Sequence, residues 1–212
     1  MTLDQLIEEI KLKAKPFYMN EEGVAFDDIH DWNHMRRVYG AAKKMLELAP
    51  EANRGEVLLA AILHDIGRAN DRQASHAEIS YNLAKEFLPE YQTEFLANNI
   101  DLEKVLKMVR YHSIAHICPD KAIAESLEFN ILTDADKVDM FGALGMVRVP
   151  IAEAYKQPQV VYHTYEHLAK MTDPNNFQFR SEAGRKIGQK YKDYSEKFVK
   201  DLEAQQQEFE LD

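Results

Sequence analysis

The sequence predicts an all-α fold, on three observations. Pro and Gly are scarce, 7 and 8 in 212 residues, while the strong helix formers Ala, Leu, Glu and Lys are plentiful. Apolar residues recur at helical spacing through most of the chain, and no segment carries a strong strand pattern. The one nearly continuous apolar run, Leu58-Leu59-Ala60-Ala61-Ile62-Leu63, reads as a buried helix rather than an amphipathic one.

The elements follow in order. Residues 3–15 form an amphipathic helix with Leu3, Leu6, Ile7 and Ile10 on one stripe, closed by Pro16. A loop over 17–30 contains Gly23 and Asp27-Asp28, and Asp31 then caps a helix running to about Leu48. Its stripe is Trp32, Met35, Tyr39, Ala42 and Met45, with His34 alongside and directed near the core. After Pro50 the central helix covers roughly 55–66, with Gly67 in the C-cap position. A polar turn through Arg72 leads to Ser75, the expected cap of a helix over 76–88 with Glu78 completing a capping box. On it His76, Ile79, Leu83 and Phe87 share a face, and Pro89 follows. A helix at about 101–113 carries Leu102, Val105, Val109 and His112. A long helical stretch over 120–141 places Phe129, Leu132, Asp136 and Met140 on one side. Beyond Gly142 and Gly145 a helix runs to Gln157, kinked or entered at Pro150. His163–Met171 is a short helix or loop, Asp173-Pro174-Asn175-Asn176 a turn, and 181–208 a last helix rich in Lys, Glu and Gln. This last helix is a candidate packing or self-association element, so a homo-oligomer is open. No internal repeat is visible, and the length suits a single domain over 1–212.

Composition narrows the function. A formal net charge of −10 argues against a general nucleic-acid surface, which needs a basic footprint. A small phosphorylated ligand remains compatible, because a local metal and a few Arg or Lys can invert the field inside one pocket. Cys118 is the single cysteine, so no intrachain disulfide forms and a reducing compartment is expected. The N-terminus is acidic and amphipathic, unlike a signal peptide, and no segment reaches transmembrane length. A cytoplasmic protein without a membrane partner is expected.

The chemistry centres on His64-Asp65, an imidazole and a carboxylate at the end of an apolar helix. Burying a charge costs several kcal/mol unless it is paired, and a divalent metal is a partner for both groups at once. His34 on a core-facing helix and Asp136 among apolar neighbours can converge with this pair, bringing two imidazoles and two carboxylates to one point. Mixed nitrogen and oxygen ligation suits Mn, Fe, Co, Ni, Zn or Mg, and the lone Cys118 excludes thiolate ligation.

Three segments together, Asp31-Trp32-Asn33-His34-Met35-Arg36-Arg37-Val38, His64-Asp65-Ile66-Gly67 and Asp134-Ala135-Asp136-Lys137-Val138-Asp139, closely resemble the HD-domain superfamily of metal-dependent phosphohydrolases. They stand in the family's order, His…His-Asp…Asp, and the likeness covers about residues 25–150, leaving 151–212 as a C-terminal helical part of a compact HD-type bundle. The resemblance implies that His34, His64, Asp65 and Asp136 bind a divalent metal, with water and substrate oxygen in its remaining positions. Asp134 is the alternative to Asp136. Asp65 would also orient the water, and Arg37, Lys137 and Arg68 are candidates to neutralise phosphate charge. His76 and His112 would bind a second metal or contact phosphate as neutral donors; one metal, with these two lining the pocket, is the expectation. The pairs His30/His34, His112/His116 and His163/His167 have the i, i+4 spacing that can clamp a metal on one helix, and the last pair, with no third ligand near it, reads as surface.

The function implied is metal-dependent hydrolysis of a phosphoester or phosphoanhydride in a small molecule, most plausibly a nucleotide, by metal-activated water. A di-iron oxygenase on the same scaffold, with His76 and His112 as ligands, and a non-catalytic nucleotide-binding module are the rivals.

Overall fold

The computed structural model describes residues 1–26, 29–68, 76–154, 160–173 and 175–209. Helices follow one another as α1 (Leu3–Ala14), α2 (Trp32–Leu48), α3 (Arg54–Leu63), α4 (His76–Phe87), α5 (Gln92–Ala97), α6 (Leu102–Tyr111), α7 (Lys121–Ala124), α8 (Leu127–Val138), α9 (Gly142–Ala154), α10 (Val160–Thr172) and α11 (Glu182–Phe209). No strand occurs among the described residues, where β structure is limited to a single bridge between Met19 and Ala25. The all-α expectation holds.

Helix α3 is the axis. Every residue from Val57 to Leu63 is 0% exposed, because α1, α2, α6 and α8 pack around it. An apolar run with no polar face has no stable position except the centre of such an arrangement, and each large aliphatic side chain buried there stabilises by about 1.5–3 kcal/mol. The surrounding helices are amphipathic and contribute one stripe each, among them Leu6, Ile7 and Ile10 from α1, and Met35, Val38, Ala42 and Met45 from α2. The expected cap at Asp31 forms, accepting from His34 N at 2.7 Å. At α1, Thr2 and Gln5 form a reciprocal capping box that was not expected.

Several boundaries differ from expectation. Helix α3 ends at Leu63 rather than at 66, and Gly67 is not a left-handed cap. Gly67 is required for space instead: a Cβ there would lie 2.6 Å from Ser80 N and 2.7 Å from His76 O, so only glycine lets the first turn of α4 approach. The stretch 120–141 is two helices because it contains two N-caps, Asp120 for α7 and Ser126 for α8. On α4 the buried line is Ala77, Ser80 and Ala84, one step from the expected face, with Ile79, Leu83 and Phe87 half-buried. A turn of 3-10 helix and α5 fill the interval after Leu88, and α10 is a full helix rather than a short one. Pro150 lies inside α9. The expected cap at Ser75, the turn at Arg72, Asp27-Asp28, Gln157 and Pro174 fall outside the described residues.

Helix α11 packs against α8, α9, α10 and α2. Asp134 anchors its start by accepting from Arg180 N, Ser181 N and Ser181 Oγ at 2.7–2.8 Å. No helix among the described residues is long and apolar enough to cross a membrane.

Candidate metal centre

Where α3 stops, its last carbonyls lack intrahelical partners. The structure satisfies two of them from within: Tyr18 donates its hydroxyl to Ile62 O at 2.8 Å, and His64 donates Nδ1–H to Ala61 O at 2.9 Å. A carbonyl can only accept, so His64 carries its proton on Nδ1 and turns the Nε2 lone pair inward. His112, at the end of α6, repeats the device on Val109 O at 2.8 Å. His34 donates Nδ1–H to Asp139 Oδ2 at 2.7 Å. Each of these three imidazoles is thus held through Nδ1–H, the orientation in which Nε2, once free of any proton, serves as a metal ligand and the far nitrogen is held by an acceptor.

These Nε2 atoms converge on the carboxylates. Around Asp65 Oδ2, His34 Nε2 and His64 Nε2 each lie at 3.5 Å, and the two nitrogens are 3.3 Å apart. Asp136 Oδ1 completes this group, 3.5 Å from His34 and 4.0 Å from His64. The other oxygen of Asp65, Oδ1, lies 3.5 Å from both His76 Nε2 and His112 Nε2, which are 3.3 Å from each other. Two groups able to hold a metal result, His34-His64-Asp136 and Asp65-His76-His112, and Asp65 faces both. Atoms bound about 2.1 Å from a common ion lie roughly 3.0–4.2 Å from one another, depending on the angle between them, so the separations suit coordination. Groups so placed need a cation or a proton between them, and two imidazoles with carboxylates on either side of Asp65 are a donor set that fits a divalent metal.

The electrostatics agree. Burial disfavours charge on His34, but Asp136, Asp139 and Asp65 outweigh it and raise its pKa to about 10, so a positive charge is held at this point. Burial instead depresses His64 to about 4 and His76 to about 3. Burial would raise Asp65 and Asp136, yet the neighbouring imidazoles, with Arg68 at Asp65 and Lys137 at Asp136, hold both well below the usual carboxylate range. Asp134, the alternative ligand, lies outside this constellation: burial raises its pKa, and its oxygens are occupied at the start of α11.

The expected substrate cations divide. Arg68 Nε donates to Asp65 Oδ1 at 3.3 Å, beside the second group. Lys137 Nζ lies 3.7 Å from Met140 Sδ and pairs with no carboxylate among the described residues. Arg37 is already committed to Asp139 through Nε at 2.7 Å and Nη2 at 3.1 Å. Of the i, i+4 pairs, none forms a one-helix clamp among the described side chains. His30 precedes α2, His116 is exposed beyond a kink at Ile114, and the side chain of His163 falls outside the described residues. Two participants had no separate signal. Asp139 belongs to the motif but its spacing did not single it out, and Arg148 on α9, which donates to Asp139, lies nine residues beyond it and outside the motif.

The HD domain family model matches residues 31–140, just over half of the chain. This chain belongs to the HD domain family. The match contains every residue of both groups. Solved structures share the fold over nearly the whole length. A predicted HD superfamily hydrolase from an uncultured Thermotogales bacterium is 24% identical, with 97% of this chain and 99% of that one covered at a TM-score of 0.60. An HD-superfamily hydrolase from Bacillus thuringiensis is 22% identical, covering 97% and 99% at 0.62. YpgQ from Bacillus subtilis, solved in complex with ADP, is 18% identical, covering 97% and 97% at 0.62. No curated protein matches. An HD-domain fold carrying two His/Asp groups that could hold metal supports a metal-dependent hydrolase.

Proposed function

We propose that the chain is a phosphohydrolase acting on a small phosphorylated molecule, a nucleotide first among them, through two adjacent divalent metal sites, and that the whole chain works as one HD unit. One observation carries this: the two oxygens of Asp65 face two separate sets of ligand atoms, each at 3.5 Å. The expectation of one metal, with His76 and His112 only lining the pocket, weighs less because both imidazoles aim Nε2 at Asp65 as His34 and His64 do. The ADP complex of YpgQ supports a nucleotide ligand for a protein of this fold.

Divalent ions bound here would polarise a phosphoryl oxygen and make water a nucleophile near neutral pH. The chain's residues do the rest. His34, His64 and Asp136 form one wall, His76 and His112 the other, and Asp65 stays ionised between them. Lys137, next to Asp136 and without a carboxylate partner among the described residues, is assigned to the phosphate charge, as is Arg68 beside Asp65. Arg37, held by Asp139, supports His34 rather than substrate.

The test is elemental analysis of protein purified without added metal, followed by phosphate and pyrophosphate release from a nucleotide panel with Mn, Mg, Ni and Co. Close to two metals per chain with release from one nucleotide class is expected. Metal-loaded protein that releases nothing from the panel overturns the nucleotide reading. The same ligand set would also serve a di-iron oxygenase, which predicts two irons and oxygen consumption in place of phosphate release. A non-catalytic nucleotide-binding module would bind nucleotide and turn over none.

A further inference from the structure

The region matched by the family model ends at residue 140, yet the metal centre does not. Arg148 on α9 reaches back to it. Its Nη1 donates to Asp139 Oδ2 and, at 3.0 Å, to the Asp139 backbone carbonyl, and Nη2 donates to Ile29 O just ahead of α2. Asp139 Oδ2 is the atom that accepts Nδ1–H from His34. We propose that Arg148 is a positioning residue for His34, acting through Asp139, so that the helix after the family-matched region sets the geometry of the His34-His64-Asp136 group. The proposal rests on the reading of that group as a metal site.

Three features separate this role from simple tethering. The Arg148 side chain is only 12% exposed, and its Nε is buried with no hydrogen-bond partner among the described residues. A buried guanidinium left partly unsatisfied contributes little to stability in itself, since desolvation offsets much of the attraction. Its two satisfied arms are divided between the carboxylate that orients His34 and the carbonyl of the segment that enters α2. The other arginine on Asp139, Arg37, is 34% exposed and approaches chiefly Oδ1. Removing Arg148 would leave Asp139 free to follow Arg37 outward, withdrawing Oδ2 from His34. The imidazole would then lose the acceptor that fixes its aim. His112 and His64 take their orientation from backbone carbonyls, so this effect is confined to one group.

The experiment is a Co(II) titration of the metal-free full chain, followed by visible absorption and elemental analysis. Wild type is compared with Arg148→Met, which keeps the stem and removes the donors, and Arg148→Lys, which keeps the charge. Melting of each metal-free protein is measured in parallel. In Arg148→Met, one equivalent is expected to weaken about 10- to 100-fold while the other stays at wild-type affinity. Arg148→Lys should fall between, and because it retains a buried cation it serves if the Met variant does not fold. Wild-type affinity for both equivalents in Arg148→Met overturns the proposal. So does equal loss of both equivalents together with melting temperature in the two variants, which marks a purely structural tether. Failure of the wild type to take cobalt overturns the metal reading beneath it, and is distinguishable because it needs no variant.

Discussion

Asp65 Oδ1 lies 3.5 Å from His112 Nε2, the contact by which the end of α3 meets the end of α6. Its partner oxygen faces His34 and His64 at the same distance, so one carboxylate belongs to both halves of the centre. Asp65→Ala is therefore expected to lower both metal equivalents and to abolish turnover, with helicity retained because α3 is held by its apolar contacts. Elemental analysis with circular dichroism checks this. Full activity in metal-depleted Asp65→Ala protein would sink the mechanism.

His112→Ala separates the one-metal and two-metal readings. It removes a ligand from the Asp65-His76-His112 group and leaves His34, His64 and Asp136 untouched. The expected result is a drop from about two metals per chain to about one. Unchanged stoichiometry would return His76 and His112 to the role of pocket lining.

Metal uptake is expected to release a proton. His34 holds its proton up to a pKa of about 10, so at neutral pH the folded protein carries a charge that an incoming cation displaces. Apparent affinity should rise by about tenfold per pH unit across neutrality, and fall as the solution is acidified. Calorimetry in buffers of different ionisation enthalpy reads the proton count directly. Uptake with no proton released would contradict the charge state assigned to His34.

The acid side of stability follows from the same centre. Burial depresses His64 to about 4 and His76 to about 3, below the ordinary histidine value of 6.5. Between those values the unfolded chain binds more protons than the native one, so native stability falls as pH drops from 6.5. His34, raised instead, contributes stability that is full below 6.5 and is lost as pH rises toward 10. Metal-free protein should thus melt at its highest temperature near pH 6–7. Metal loading should flatten the alkaline limb, because the metal replaces the His34 proton.

Two substitutions separate binding from folding. Lys137→Ala should weaken substrate use while leaving metal content unchanged; a fall in metal content would make Lys137 structural. Gly67→Ala should cost about 1–3 kcal/mol, because its Cβ meets α4 backbone at 2.6–2.7 Å and neither side can yield cheaply. Chemical denaturation measures that loss.

Much of this protein was legible without coordinates. Helical periodicity marked α1, α2, α4, α6 and α8, composition marked α11, and the cap at Asp31 and the break at Pro16 depend on neighbours in sequence alone. The burial of α3 followed from a run with no polar face. His34, His64, Asp65 and Asp136 were legible because their order and spacing form a pattern. What escaped depends on distance through space. Nothing in one sequence says that Asp65 presents its two oxygens to different histidine pairs, that Arg37 turns to Asp139, or that Arg148 approaches from α9. The space that requires Gly67 was likewise decided by packing, whereas the split at Ser126 rests on a local cap. Local propensity and periodicity act over a few residues and determined which helices form. The angles at which α2, α3, α6 and α8 meet are set by side chains interdigitating across the core, and those angles alone decided which atoms of the conspicuous residues face one another.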